Sequence, residues 1–254
     1  MSPDISELRE IAAMVTLDVG REVGRRRAEG FSWTTKSTST DVVTEIDTWA
    51  ENEVVARIEA QRGDDGFLGE EGTSRTGSTG ITWVIDPVDG TTNLLYGLPG
   101  FSVSIGVEVD GEPVAGAVFD PIRDELFVAS LGGGATRNDD PISPTSLDDL
   151  SSALIATGFS YASSERADQA RALVEILPAV RDIRRNGGAA LDMCSVACGR
   201  ADGYFERGIK AWDGAAGRVI ATEAGATVEM GDLTMVAGPA LFDQLRDLLE
   251  RSGA

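Results

Sequence analysis

Hydrophobic residues near the start of the chain recur three or four positions apart, which is the spacing of one helix face. These positions are Ile5, Leu8, Ala12, Val15 and Val19. They predict an amphipathic helix that ends near Gly24. Thr44 and Asp47 then have the spacing of a capping box and predict the start of a second helix, which runs to about Arg62.

Alternating hydrophobic residues replace the helical spacing after position 100. One face of the predicted strand comprises Val103, Ile105, Val107 and Val109. Asp110-Gly111 predicts a hairpin turn, and segments 114–119 and 125–130 continue an antiparallel meander. Upstream, residues 67–72 predict a strand that ends in a loop, 73–80 a flexible surface connection, and 81–85 a further strand.

Strands and helices alternate in the second half, a pattern that is typical of a layered α/β domain. Strands are predicted at 154–157, 182–185, 202–206, 226–229 and 233–237. Helices are predicted at 167–180, 189–198 and 213–224, and a terminal helix begins at Pro239, a favoured first-turn residue. The proline-bearing segment 139–144 predicts a connection between an α+β domain at 1–140 and an α/β domain at 141–254.

The composition narrows the classes of function. The 254 residues have a formal net charge of −20 and include no histidine. This charge argues against a nucleic-acid or anionic-membrane surface, because both need a basic face. The absence of histidine excludes a Ser-His-Asp triad, a Cys-His dyad and a His-ligated zinc site. Acid–base chemistry must therefore use carboxylates, hydroxyls, lysine or metal-bound water.

Two further features predict a cytoplasmic protein without a membrane partner. Cys194 and Cys198 lie four positions apart, and we interpret them as small buried thiols rather than as a disulfide framework. The first nine residues lack the apolar core of a signal peptide, and no run of about 18 apolar residues is present.

The densest candidate chemistry follows the strand predicted at 81–85. Asp86 and Asp89 are carboxylates three residues apart, and oxygen ligands of this kind hold hard divalent cations. Gly90 and Thr91 follow at a predicted helix start, where backbone N–H groups bind oxyanions such as phosphate. Metal and phosphate would therefore meet at one place, which indicates a metal-assisted phosphatase.

Two other acidic positions have ordinary explanations when each is taken alone. Asp213 lies at a predicted helix start, where aspartate is a common cap. Glu70 and Glu71 lie in a loop, where solvated charges are expected. Asp86 is harder to explain in this way, since a buried charge at a strand end is costly without a cation or hydrogen-bond donors.

Three motifs together resemble the inositol monophosphatase family of lithium-sensitive, magnesium-dependent phosphatases. They are Gly69-Glu70-Glu71, Asp86-Pro87-Val88-Asp89-Gly90-Thr91-Thr92-Asn93 and Trp212-Asp213-Gly214-Ala215-Ala216-Gly217. The resemblance covers almost the whole chain. It implies an α+β and α/β fold, the layered α-β-α-β-α sandwich of the inositol monophosphatase and fructose-1,6-bisphosphatase type, and a homodimer.

The resemblance also implies a cation site with two or three Mg²⁺ ions. Glu70, Asp86 and the carbonyl of Val88 would bind the first ion. Asp86, Asp89 and Asp213 would bind the second, with Asp86 bridging the two, and a third ion would sit on Glu70 through water.

The catalytic and substrate-binding roles carry over in the same way. The catalytic group implied is Thr91, Asp47 and Glu70, in which Asp47 and Thr91 orient the attacking water. Substrate would be held by Asp89, Gly90, Thr91, Gly187, Gly188, Ala189 and Glu206. Tyr96, Gly188 and Lys210 depart from residues common in the family, and these departures concern the alcohol side of the substrate.

These roles imply hydrolysis of a small-molecule phosphate monoester, with myo-inositol monophosphate as the first expectation. Thr92-Asn93 favours the inositol branch or a fructose-1,6-bisphosphatase with broad activity on sugar phosphates over the histidinol-phosphate branch. Arg184 and Arg185 leave a second substrate phosphate open. A regulatory protein that binds a partner through the same fold, or one that only buffers metal, is the non-enzyme alternative.

Overall fold

The computed structural model describes residues 3–36 and 42–254. Among these residues the helices are α1 (Ile5–Glu29), α2 (Glu45–Glu59), α3 (Thr91–Tyr96), α4 (Ser163–Ile176), α5 (Ala189–Ala197), α6 (Ala211–Glu223) and α7 (Phe242–Ser252). Short 3₁₀ turns lie at Leu150–Ser152 and Leu177–Ala179.

Three sheets are formed by the described strands. The strands are β1 (Trp33–Thr35), β2 (Val42–Thr44), β3 (Gly66–Gly69), β4 (Ser74–Arg75), β5 (Ile81–Asp89), β6 (Ser102–Val109), β7 (Glu112–Asp120), β8 (Glu125–Ser130), β9 (Gly134–Arg137), β10 (Asp140–Pro141), β11 (Leu154–Thr157), β12 (Asp182–Arg184), β13 (Gly203–Arg207), β14 (Thr227–Glu229) and β15 (Leu233–Ala237). β1 pairs with β2. The eight-stranded sheet has the order β10-β9-β8-β7-β6-β5-β3-β4, and the five-stranded sheet has the order β12-β11-β13-β15-β14.

The helices and the two large sheets form five layers. Helices α1 and α2 cover one face of the eight-stranded sheet, and α5 and α6 lie between its other face and the five-stranded sheet. Helices α4 and α7 pack together on the outside, where α7 contacts β15. Within the part of the chain that the structure describes, three clusters of buried hydrophobic residues lie between the layers, and one of them extends over both faces of the middle helix layer. The predicted α-β-α-β-α sandwich is therefore confirmed.

Several local predictions are confirmed. Thr44 caps α2 and forms the expected capping box with Asp47. Asp110 and Gly111 both have positive φ in the turn between β6 and β7, as the hairpin prediction requires. Cys194 and Cys198 are free, although Cys198 is only half-buried. No helix in the described ranges is long and apolar enough to cross a bilayer.

Five local predictions are wrong. Helix α1 continues past Gly24 to Glu29, and Arg25 pairs with Glu22 and Glu29 along its last turns. α2 ends before Arg62, at the cap residue 60. The segment 73–80, expected to be a flexible connection, contains strand β4, which pairs with β3.

The other two differences concern longer-range structure. Pro239 lies in a turn before α7 rather than in its first turn, since the carbonyl of Gly238 accepts the N–H groups of Leu241 and Phe242. Strand β5 does not end at Ile85 but runs on to Asp89 through an irregular register.

Helix α6 approaches the eight-stranded sheet too closely for a side chain on β6 at position 106. A Cβ on Gly106 would lie 2.5 Å from Ala215 Cβ and 3.1 Å from Ala216 N. The glycine therefore sets the depth at which α6, the helix that carries Asp213, packs on the sheet. Overpacking at such a contact forces the backbone or neighbouring side chains to move.

We expect Gly106→Ala to lower the free energy of unfolding by about 1–3 kcal/mol, because the added methyl group would push α6 off the sheet. Denaturant unfolding followed by circular dichroism measures this change. The matched control is Gly231→Ala, at an exposed position where the nearest atom, Leu233 O, would lie 3.8 Å from the new Cβ. Equal stability of the two variants would contradict the close packing proposed for α6.

Candidate active site

An irregularity in β5 places Asp86 and Asp89 on the same face of the sheet. Residues three apart on a regular strand point to opposite faces. Here Asp86 lies opposite Ser104 and Asp89 opposite Ser102, with a register shift between the two pairs. Because Ser102 and Ser104 are two residues apart on β6, both carboxylates share their face. The bulge therefore turns two sequence neighbours into one acidic site.

Glu70 and Asp213 reach the same site from other elements. Strand β3 is parallel to β5, so the loop that follows β3 leaves at the edge where Asp86 lies. The Glu70 N–H donates to Ile85 O at 3.2 Å, which holds that loop against β5. Asp213 lies in the first turn of α6 and accepts the Lys210 N–H at 2.6 Å. The predicted capping role of Asp213 and its place in the acidic site therefore coexist.

The three aspartates of this site have raised pKa values. Burial raises the pKa of Asp86 well above its usual range, and the charges of Glu70, Asp89 and Asp213 raise it further. Burial and the charge of Asp213 do the same to the pKa of Asp89, although the Ala190 N–H opposes them. Burial, together with the charges of Glu70 and Glu206, raises the pKa of Asp213 to about 7. The site therefore has an excess of negative charge that a cation would relieve.

Lys36 supplies positive charge at one side of this site. Its Nζ lies 2.9 Å from Glu70 Oε1 and 2.6 Å from Glu71 Oε1. Burial raises the pKa of Glu71 to about 7, although the hydrogen bond from Lys36 lowers it. Glu70 therefore faces an ammonium group in this arrangement.

Thr91 and Asp47 form the predicted pair beside the carboxylates. Thr91 Oγ1 lies 2.9 Å from Asp47 Oδ1 and 3.0 Å from the Val88 carbonyl oxygen. Asp47 is completely buried and also accepts the Thr44 N–H at 2.9 Å. Burial raises the pKa of Asp47, while its hydrogen bonds from Thr44 and Thr91 lower it. A hydroxyl with one hydrogen and two acceptors is held in place while its oxygen keeps lone pairs for another donor.

The residues predicted for the alcohol side lie against Asp89. Its Oδ1 accepts the Ala189 N–H at 3.1 Å, and its Oδ2 accepts the Ala190 N–H at 2.8 Å. A Cβ on Gly188 would lie 2.8 Å from Asp89 Oδ2, so the loop before α5 touches this carboxylate. Glu206 accepts the Tyr204 hydroxyl at 2.9 Å. Burial raises the pKa of Glu206, and its charge acts on both Asp89 and Asp213.

Sequence reasoning missed several polar residues that support the site. Glu51 is buried on α2 and accepts the N–H groups of Glu71 at 2.7 Å and Thr73 at 2.9 Å, so it shapes the loop that carries Glu70. Asp192 is buried on α5 and accepts the Asn186 side-chain amide at 2.6 Å. The sequence did contain a signal for both residues, since Glu51 and Asp192 are carboxylates at buried positions of α2 and α5, where hydrophobic residues are expected.

The residue types at this site fit a hard divalent cation. Oxygen donors prevail, and the carboxylates repel one another in a buried place. The hydroxyl oxygens of Ser102 and Ser104, on the same face, are fully buried and find no hydrogen-bond partner among residues 3–36 and 42–254. Within those ranges no three acidic or cysteine side chains form a group that could hold a metal ion as they stand. Glu70, Asp86, Asp89 and Asp213 are the residues that would hold one.

The free energy of unfolding should depend on pH through Asp192. Burial and the charge of Glu206 raise the pKa of Asp192 to about 7, from 3.8 for an ordinary aspartate. The folded protein therefore retains a proton that the unfolded chain releases between these two values. Stability from this group is present at low pH and is lost as pH rises towards 7.

We expect Asp192→Asn to remove this dependence. Relative to wild type, the variant should gain stability between pH 5 and pH 8, on the order of 3 kcal/mol, because the cost of ionising a buried carboxylate disappears. Urea unfolding at a series of pH values measures the difference. The control is Asp243→Asn, because Asp243 is an exposed aspartate on α7 that pairs with Arg246. If wild type and Asp192→Asn showed parallel dependences of stability on pH, the raised pKa of Asp192 would be contradicted.

The chain matches known proteins over nearly its whole length. The model of the "Inositol monophosphatase family" matches residues 4–252. The "Inositol-1-monophosphatase SuhB" of Mycobacterium tuberculosis is 40% identical over 273 residues, which cover 97% of this chain and 94% of that protein. The "Nus factor SuhB" of Xylella fastidiosa is 46% identical over 189 residues, which cover 74% and 68%.

Solved structures agree with these sequence matches. The extragenic suppressor protein suhB of Bartonella henselae superposes with a TM-score of 0.91 at 32% identity, covering 96% of this chain and 99% of that chain. SaIMPase-II, solved with inositol monophosphate bound, has a TM-score of 0.76 at 28% identity and covers 93% and 92%. The agreement between family model, relatives and fold shows that the chain belongs to the inositol monophosphatase family.

Proposed function

We propose that the chain is a magnesium-dependent phosphatase that hydrolyses myo-inositol monophosphate to inositol and phosphate. The observation that carries this proposal is the bulge in β5, which puts Asp86 and Asp89 on one face beside Thr91. Carboxylates that can bind cations therefore lie next to the start of α3, where backbone N–H groups can bind the phosphate. The relative named inositol-1-monophosphatase and the SaIMPase-II structure with inositol monophosphate support the choice of substrate class.

Different residues of the chain would orient the water, hold the phosphate and bind the cations during hydrolysis. The Thr91 hydroxyl donates towards Asp47 or Val88 O, so its oxygen is left to accept a hydrogen from the attacking water. The backbone N–H groups of Gly90 and Thr91 would hold the phosphate oxygens at the start of α3. When bound at Glu70, Asp86, Asp89, Asp213 and the Val88 carbonyl, Mg²⁺ supplies the positive charge that phosphoryl transfer requires.

The alcohol would be held on the other side of Asp89. Glu206 is a carboxylate that accepts hydrogen bonds, and a pair of ring hydroxyls can donate to it. Gly187, Gly188 and Ala189 would form the adjoining wall, and the Arg185 guanidinium lies close to Gly187. A polyol such as inositol therefore fits the donors and acceptors better than an apolar alcohol.

A substrate panel tests the proposed reaction. Phosphate release with Mg²⁺ should be fastest from inositol 1-phosphate, compared with fructose 1,6-bisphosphate, histidinol phosphate and 3′-phosphoadenosine 5′-phosphate, and EDTA should abolish it.

Asp213→Asn should lower kcat by about 10²-fold or more, since charge stabilisation is lost while one oxygen still accepts the Lys210 N–H. Asp89→Asn is a less selective variant, because both Asp89 oxygens also bind α5. Activity in EDTA, or an active Asp213→Asn, would contradict the mechanism.

The hydroxyl of Thr91 gives a second test. We expect Thr91→Val, which has nearly the same shape, to lower kcat by about 10²- to 10⁴-fold because the water loses its hydrogen-bond acceptor. Thr91→Ser keeps the hydroxyl and should retain most of the activity. Steady-state kinetics on inositol 1-phosphate measure the difference, and equal losses in both variants, or a larger loss in Thr91→Ser, would contradict the role of the hydroxyl.

A regulatory role is the second candidate, and the observation that favours it is the match to a protein named Nus factor SuhB. The net charge of −20 disfavours direct binding to RNA, so the partner would be a protein. Failure of the wild-type chain to hydrolyse any of the four phosphate esters with Mg²⁺ would favour this role over the phosphatase.

A further inference from the structure

The side-chain amide of Asn93 connects the two halves of the chain beside the acidic site. Its Nδ2 lies 2.8 Å from the Gly100 carbonyl oxygen and 2.6 Å from the Asn186 carbonyl oxygen. Both neighbours are acceptors, so the group that faces them must be the NH₂ end of the amide. Its two hydrogens are both used, one for each carbonyl.

The contact between Asn93 and the loop after β12 leaves no space for a side chain at position 187. Gly187 has φ of +110° and follows the carbonyl that Asn93 binds. A Cβ on Gly187 would lie 2.5 Å from Asn93 Nδ2. Asn93 itself is 8% exposed. The loop after β12 therefore closes directly onto the amide.

Each end of this connection leads to a different side of the candidate active site. Asn93 lies in α3, whose first residue is Thr91 and whose cap is Gly90, the proposed phosphate side. Asn186 begins the loop that leads to Ala189 and Ala190, whose N–H groups bind Asp89 on the proposed alcohol side. Asn93 thus links the two sides at the start of the loop, and Asp89 links them at its end.

We propose that Asn93 is a positioning residue that determines selectivity for the alcohol of the substrate. It holds the 186–190 loop at a fixed distance from the phosphate side, so that a hydroxylated alcohol meets the loop and Glu206 while its phosphate is in place. This inference rests on the proposed phosphatase function. It concerns recognition of the alcohol and leaves the carboxylates and Thr91 unchanged.

The isosteric substitution Asn93→Asp separates this role from space filling. A carboxylate has the same shape but would face two carbonyl oxygens without a hydrogen to donate. Asn93→Ala removes the donor and leaves space. If Asn93 acted only by filling space, Asp would be nearly neutral and Ala harmful. If it acts as a donor, Asp is at least as harmful as Ala.

The kinetic test compares inositol 1-phosphate with p-nitrophenyl phosphate, which has no ring hydroxyls. For Asn93→Asp we expect the ratio of the two kcat/KM values to fall about tenfold, mostly through KM for inositol 1-phosphate, because the hydrogen bond to Asn186 O that holds the loop is lost. The kcat/KM for p-nitrophenyl phosphate should stay within about threefold of wild type. Asn52→Asp is the matched control, since this exposed amide donates within α2, to Thr48 O at 2.8 Å.

Hydrogen exchange of the metal-free protein gives a readout that does not need activity. The N–H groups of Ala189 and Ala190 should exchange about tenfold faster in both Asn93 variants, because the loop before α5 opens more often. Exchange in α1 should not change. If Asn93→Asp fails to fold, Asn93→Ser, which keeps one donor, takes its place in both measurements.

Each result decides the proposal. A lower selectivity ratio with faster exchange at 189–190 supports it. Equal losses on both esters, an Asn93→Asp variant that behaves as wild type, or unchanged exchange overturns it. If the wild-type chain hydrolyses neither ester, the proposed function has failed, and exchange at 189–190 alone then decides whether Asn93 positions the loop.

Discussion

The crowding of negative charge around Asp86 is the constraint on which the rest of the structure depends. Asp86 and Asp89 are buried; the charges of Glu70 and Asp213 act on Asp86, and the charge of Asp213 acts on Asp89. Such an arrangement is unfavourable in a folded protein unless protons, donors or cations compensate it. Lys36 compensates Glu70 at one edge, and backbone N–H groups compensate the aspartates at others. The remainder of the negative charge is available to a bound cation.

The same carboxylates also hold the scaffold together. Asp89 accepts two N–H groups at the start of α5, Asp213 accepts one at the start of α6, and Asp86 Oδ1 accepts the Val88 N–H at 3.1 Å. Acidic residues at helix starts are favoured by the helix dipole. Because α5 and α6 form the middle layer, the site and the packing of the two large sheets are structurally linked.

Features set by neighbouring residues could be predicted from the sequence, and those set by distant contacts could not. The Thr44–Asp47 capping box and the hairpin at Asp110 depend on a few adjacent residues, and both predictions are confirmed. The common face of Asp86 and Asp89 depends on the pairing of β5 with β6, which no local pattern records. The contact between Asn93 and Asn186 spans 93 positions. Asn93 belongs to the motif at 86–93, but the motif alone does not predict which residue its side chain binds.

In the proposed mechanism, the residues for bond cleavage are separate from those for recognition of the alcohol. Asp47, Glu70, Asp86 and Thr91 all come from the first half of the chain and depend on β3, β5 and α2 for their positions. The second half contributes Asp213 on α6, and also the 186–190 loop and Glu206. The loop is attached to the first half through Asp89, which accepts two of its N–H groups, and through Asn93, which donates to Asn186 O. Under the proposal, changes in the loop or in Glu206 would alter which alcohol is accepted while the carboxylates keep their arrangement, because function belongs to the site that a fold carries rather than to the fold itself.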